Sequence, residues 1–108
     1  MIETVTKALY ADELKNFLDT QGRLRQYPAK HKYKIMALFY LASKFEPKIR
    51  YTEKEVNEIL KRWHTFSDWP MLRRDLYDMK FFNRDKDGSE YWMEEIQPEP
   101  ASFGVGLS

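Results

Sequence analysis

The sequence predicts an α+β domain that is mainly helical, and three observations carry that expectation. An apolar run from Ile35 to Ala42 lies inside a stretch, Ala29 to Phe45, that holds no Gly or Pro. A second amphipathic stretch opens on Thr52-Glu53-Lys54-Glu55, the pattern of a helix capping box. Near the end, an Asp87-Gly88 step separates two short segments rich in aromatic residues, which is a hairpin signal.

The first expected element is an amphipathic helix over about 8–19, with Tyr10, Leu14, Phe17 and Leu18 on one face and Gly22 ending it. Pro28 suits the start of the next helix, which is apolar on every side in its middle and therefore central; Pro47 stops it. Lys48 to Tyr51 is a possible short strand. Val56, Ile59, Leu60 and Trp63 then make the apolar stripe of a helix from about Glu53 to Trp63. Another helix starts near Ser67 or Asp68, either of which can cap it, with Pro70 in its first turn. Its inner face carries Trp69, Leu72, Leu76 and Met79; Arg74, Tyr77 and Asp78 lie opposite, with Arg73 and Lys80 on one flank. Two strands, 81–84 and 89–92, close a β-hairpin through residues 85–88. Residues 1–92 thus read as one domain and 93–108 as a loosely ordered tail.

Composition narrows the chemistry. With 108 residues and 43% hydrophobic content the chain supports one core, not two domains. Having no Cys, it has no disulfide and no thiolate ligand, and it fits a reducing compartment, the cytoplasm by default. No apolar run approaches the ~20 residues of a membrane helix, and the start lacks a signal-peptide pattern. The net charge of +1 conceals a basic block: residues 23–50 carry eight basic side chains and one acidic. Such a block favours an anionic partner, although it serves equally as a solvated helix edge.

The order of helix, central helix, short strand, capped helix, basic helix and hairpin is that of a winged helix-turn-helix preceded by one extra helix. In that arrangement the second helix of the pair enters the DNA major groove and the hairpin lies along the backbone beside it. The expected function is that of a DNA-binding regulator, with Arg73, Arg74, Tyr77, Lys80, Arg84 and Lys86 as contacts and Lys30, Lys32 and Lys34 extending the surface. Asp75 and Asp78 on or beside the same face count against groove entry, so a non-catalytic module for protein interaction or dimerisation is the alternative. The N-terminal helix could cover the chain's own core or pair with a second copy. Tyr91 and Trp92 could stack on a base or partner; alternation turns one of them inward, and Trp92 is the expected one.

Catalysis is not expected. His31 and His64 have no partner at ligand spacing, so no metal and no cofactor are implied, and His64 reads as a donor finishing its helix. There is no phosphate-binding Gly-rich loop, no Gly-x-Ser-x-Gly and no His-Glu-x-x-His.

Several stretches also resemble one family. They are Gly-Arg-Leu-Arg-Gln-Tyr-Pro-Ala-Lys at 22–30, Leu-Ala-Ser-Lys-Phe-Glu-Pro at 41–47 and Tyr-Thr-Glu-Lys-Glu-Val-Asn-Glu-Ile-Leu at 51–60. Leu-Arg-Arg-Asp-Leu at 72–76 and Asp-Gly-Ser-Glu-Tyr-Trp at 87–92 complete the set. Together they resemble the bacterial domain-of-unknown-function family numbered 2087, over about 12–92. The resemblance implies a winged-helix-like domain, sometimes joined to a regulatory helix-turn-helix module, and no established activity. It also implies that a basic pair at Arg73-Arg74 and an aromatic pair at Tyr91-Trp92 recur, whereas Glu90 stands where a basic residue is expected.

Overall fold

The computed structural model describes residues 12–104. Three helices and a three-stranded antiparallel sheet make up the regular structure: α1 (His31–Ala42), β1 (Tyr51–Thr52), α2 (Glu53–Trp63), α3 (Trp69–Asp78), β2 (Phe82–Arg84) and β3 (Glu90–Met93). The sheet order is β1-β3-β2, so the last strand lies between the other two. This α+β, mainly helical architecture is compatible with a winged-helix-like layout.

Helix α1 is the centre. Ile35, Met36, Ala37, Leu38, Leu41 and Ala42 are all buried, which is why the run is apolar on every side. It ends earlier than Pro47 requires. The Ser43 N–H reaches Phe39 O, then Lys44 and Phe45 donate to carbonyls three residues back, and this tightening turns the Phe45 side chain into the core. There Phe45 meets Tyr51 and Phe82 edge-on, at 5.3 and 4.7 Å between ring centroids. Phe39 meets Phe81 in the same way at 4.7 Å. Phe81 and Phe82 are both fully buried, so the root of the hairpin is plugged into α1.

Two expectations are corrected at the ends of the chain. Residues 8–11, with Tyr10, lie outside the described residues, and 12–19 is not a continuous helix. A 3-10 turn covers Lys15–Phe17 and Leu18 is extended, pairing with Leu24. The Asp19 carboxylate accepts from the backbone N–H groups of Gln21 and Arg23, a local turn that competes with helix, and Gly22 completes it at φ +79°. Leu14 is buried, and Phe17 and Leu18 pack against the chain's own core. Of the expected tail, residues 94–104 fold back on the domain, and 105–108 lie outside the described residues. The Gln97 side-chain amide donates to Phe81 O and Glu94 O, and Phe103 packs on Phe39 and Phe81.

The α2 start is as the sequence requires: Glu55 N–H donates to Thr52 Oγ1 at 3.1 Å and Thr52 N–H to Glu55 Oε1 at 2.8 Å. The α3 start differs. Asp68 occupies the cap position, but neither its side chain nor that of Ser67 caps the helix. Instead the buried His64 bridges the two helices, its Nδ1 donating to Leu60 O at 2.5 Å and its Nε2 accepting from Asp68 N–H at 3.0 Å. Only the neutral tautomer with the proton on Nδ1 satisfies both bonds. The sequence points to the donor half of this role and misses the acceptor half.

Removing one cap tests how far α2 depends on it. Thr52→Ala should lower unfolding stability by about 1 kcal/mol in a urea titration, with an unchanged m-value.

Candidate nucleic-acid interface

Helix α3 divides its surface four ways, because residues three and four apart share a face. Leu72 and Leu76 are buried in the core. Arg73 and Tyr77 turn towards the start of α2 and the hairpin. Asp75 turns to the opposite flank, and Pro70, Met71, Arg74 and Asp78 face outward.

The predicted arginine pair is split by this geometry. Arg73 does not project into solvent: its side chain is 19% exposed, it donates to Asn57 Oδ1, and Glu53 Oε1 lies 3.6 Å from its Nη2. Arg74 is 81% exposed, with Asp78 at 3.9 Å, too long for a hydrogen bond. On the Arg73 flank, the Arg84 guanidinium lies over the Tyr77 ring, 4.7 Å from its centroid. Lys80 and Lys86 are exposed, and Lys80, at φ +71°, follows the end of α3.

The hairpin turn is a tight loop. Asp85 Oδ1 accepts from Glu90 N–H and Oδ2 from the Ser89 hydroxyl, while Asp87 Oδ1 accepts from Ser89 N–H. The Glu90 backbone N–H and then the Ser89 hydroxyl hold the Asp85 carboxyl below its usual range. Gly88 at φ +74° lets the backbone close, and Glu53 N–H at 3.3 Å from Ser89 O moors the turn to the start of α2.

Lys30, Lys32 and Lys34 form a separate group at the start of α1. Lys30 is exposed, Lys32 Nζ lies 3.8 Å from Glu13, and Lys34 Nζ lies 5.0 Å above the Tyr27 ring. Tyr27 donates to Asp75 Oδ2 at 2.7 Å and stacks on Phe66. The carboxylate that would repel a phosphate is therefore engaged by the chain itself. The α1 lysines approach α3 along its Asp75 flank, on the side away from Arg73, Tyr77 and Arg84.

The inward aromatic of the last strand is Tyr91, not Trp92. Register pairs Tyr91 with Tyr51 and Arg84, and Tyr91 is only 6% exposed, whereas Trp92 lies on the other sheet face under the Arg50 guanidinium at 4.1 Å. Met93, an apolar residue one step past Trp92, continues the Tyr91 face and was the signal for this parity. Glu90 lies 3.5 Å from Arg50, so its charge is partly answered.

Between α3 and β3 an open depression of about 430 Å3 is lined by Pro70, Met71, Arg73, Arg74 and Tyr91. Among the described residues, no group of three or more His, Asp or Glu is placed to hold a metal ion. No helix among them is long and apolar enough to cross a membrane.

The Tyr27–Asp75 bond has a pH consequence. Burial, then the hydrogen bond to Asp75 and its charge, raise the Tyr27 phenol above its ordinary value of 10.0. Folding therefore favours the protonated phenol, so its stabilising contribution is complete below about pH 10 and declines as pH rises further. Tyr27→Phe should flatten the fall in melting temperature above pH 10 relative to the parent, as read by circular dichroism.

No curated protein and no solved structure matches the chain. A family model described as "Uncharacterized protein conserved in bacteria (DUF2087)" matches residues 23–93, the span from the turn before α1 to the end of β3. That span is more than half of the sequence, and the chain belongs to this family.

Proposed function

We propose that the chain is a winged helix-turn-helix domain that binds nucleic acid, probing a duplex with α3 and its adjoining hairpin, as a regulator of transcription would. One observation carries the reading: α1, β1, α2, α3, β2 and β3 follow one another with sheet order β1-β3-β2, leaving the outer face of α3 beside the hairpin turn. On that side Arg74, Lys80 and Lys86 are exposed. Arg84 is held over Tyr77 with its guanidinium edge still able to donate. Asp75 keeps its charge and is held by Tyr27 on the flank of α3 opposite Arg73. Arg73 also fastens α3 to α2.

A second reading is a protein-interaction module using the same face. It is favoured by the mixed character of that face, where Arg74 and Asp78 stand one turn apart and Met71 is 45% exposed. Antiparallel docking of two such helices would set Arg74 of each copy against Asp78 of the other.

Binding of a mixed-sequence duplex at several salt concentrations separates the two. If phosphates dominate, log K falls linearly with log salt, and Arg74→Ala with Lys86→Ala should reduce the slope by about 0.9 for each cation removed. No binding at low salt, together with a concentration-dependent dimer on sedimentation, would establish the second reading instead.

A further inference from the structure

We propose that the depression between α3 and β3 is a seat for a single phosphate group, with the Tyr91 hydroxyl as its central donor. This rests on the nucleic-acid reading above for the source of the phosphate, which is then a backbone phosphodiester.

Three polar groups with unspent donors meet there. Tyr91 is only 6% exposed, yet among the described residues its hydroxyl makes no hydrogen bond, and it lines the depression. A phenol that lines an open depression with no protein partner keeps its donor available to whatever enters. Arg73 also lines the depression. Of its five N–H donors one is given to Asn57, and Glu53 at 3.6 Å is beyond hydrogen-bond length, so the guanidinium is held in place with donors to spare. Arg74 forms the open rim, with its nearest carboxylate 3.9 Å away.

Two guanidinium groups, which have no acceptor, and a phenol that can donate its proton suit an anion, and a phosphate offers several acceptor oxygens in return. Pro70 and Met71 complete the lining with apolar surface. Of the acids beside these arginines, Glu53 lies 3.6 Å from Arg73 and Asp78 lies 3.9 Å from Arg74, and neither lines the depression.

The sheet register makes a clean test available. Tyr91→Phe keeps the ring and its packing and removes only the hydroxyl; an unchanged melting temperature verifies that the fold is kept. Inorganic phosphate, titrated into the intact chain and followed by NMR, should shift the Met71 and Tyr91 amides and the Arg74 Nε–H. Tyr91→Phe should weaken that response by about tenfold or more, the size of a hydrogen bond to a charged group. In parallel, duplex binding at fixed low salt should fall by a similar factor in Tyr91→Phe, with the salt slope retained.

Phosphate shifts that are absent, or equal in parent and Tyr91→Phe, overturn the seat. Phosphate shifts that depend on Tyr91 in a chain that binds no duplex uphold the seat, give it free phosphate as its source, and overturn the nucleic-acid reading.

Discussion

The structure depends on the middle of α1, Ile35 to Leu38, being buried on every side. A helical turn with no solvent face must be wrapped, and each neighbouring segment contributes an aromatic or aliphatic group to the wrapping: Leu14 from the N-terminal turn, Phe45 from the helix's own end, and Phe81 and Phe82 from the hairpin root. The edge-on contacts of Phe39 with Phe81 and of Phe45 with Phe82 do more than fill space. They fix where the hairpin leaves α3, and therefore which strand residues face the helices. The partly buried Phe103 closes the same cluster from the far end of the chain.

Electrostatics are organised around pairing. The chain carries almost equal numbers of acidic and basic side chains, and many of the cations already have a ring or carboxylate beside them: Arg50 over Trp92, Lys61 over Trp69, Arg84 over Tyr77 and Arg73 near Glu53. Such contacts position a side chain more than they stabilise the fold, since exposed ion pairs contribute at most about 1 kcal/mol. Around α3 and the hairpin, Arg74, Lys80 and Lys86 are the cations most open to water.

Much of the architecture was legible in the sequence because the signals were local. The Thr52 capping box, the periodicity of Val56, Leu60 and Trp63, the apolar stretch of α1 and the Asp87-Gly88 turn each encode structure within a few residues. The missed features depend on contacts between distant segments or on a competing short-range bond. Nothing near Arg73 announces that Asn57, sixteen residues earlier, will take its guanidinium, and nothing near Tyr27 announces Asp75. His64 reads as a helix end, but its acceptor role exists only once α3 turns back to offer the Asp68 N–H. The Asp19 turn shows the opposite failure: four apolar residues at helical spacing outweighed a side chain that hydrogen-bonds its own backbone. For the candidate site, the identity of the exposed cations was readable, whereas the grouping of Tyr91 with Arg73 and Arg74 required the strand parity.

Gly88 carries one last consequence. A Cβ placed there would sit 3.0 Å from Arg84 Nη1 and 4.0 Å from Glu53 Oε2, so the ribbon tip touches the helical layer instead of waving beside it. Its conformational entropy is given up during folding and not on encounter. A partner meeting this surface would find the ribbon tip already moored to the start of α2 by the Glu53 N–H to Ser89 O contact.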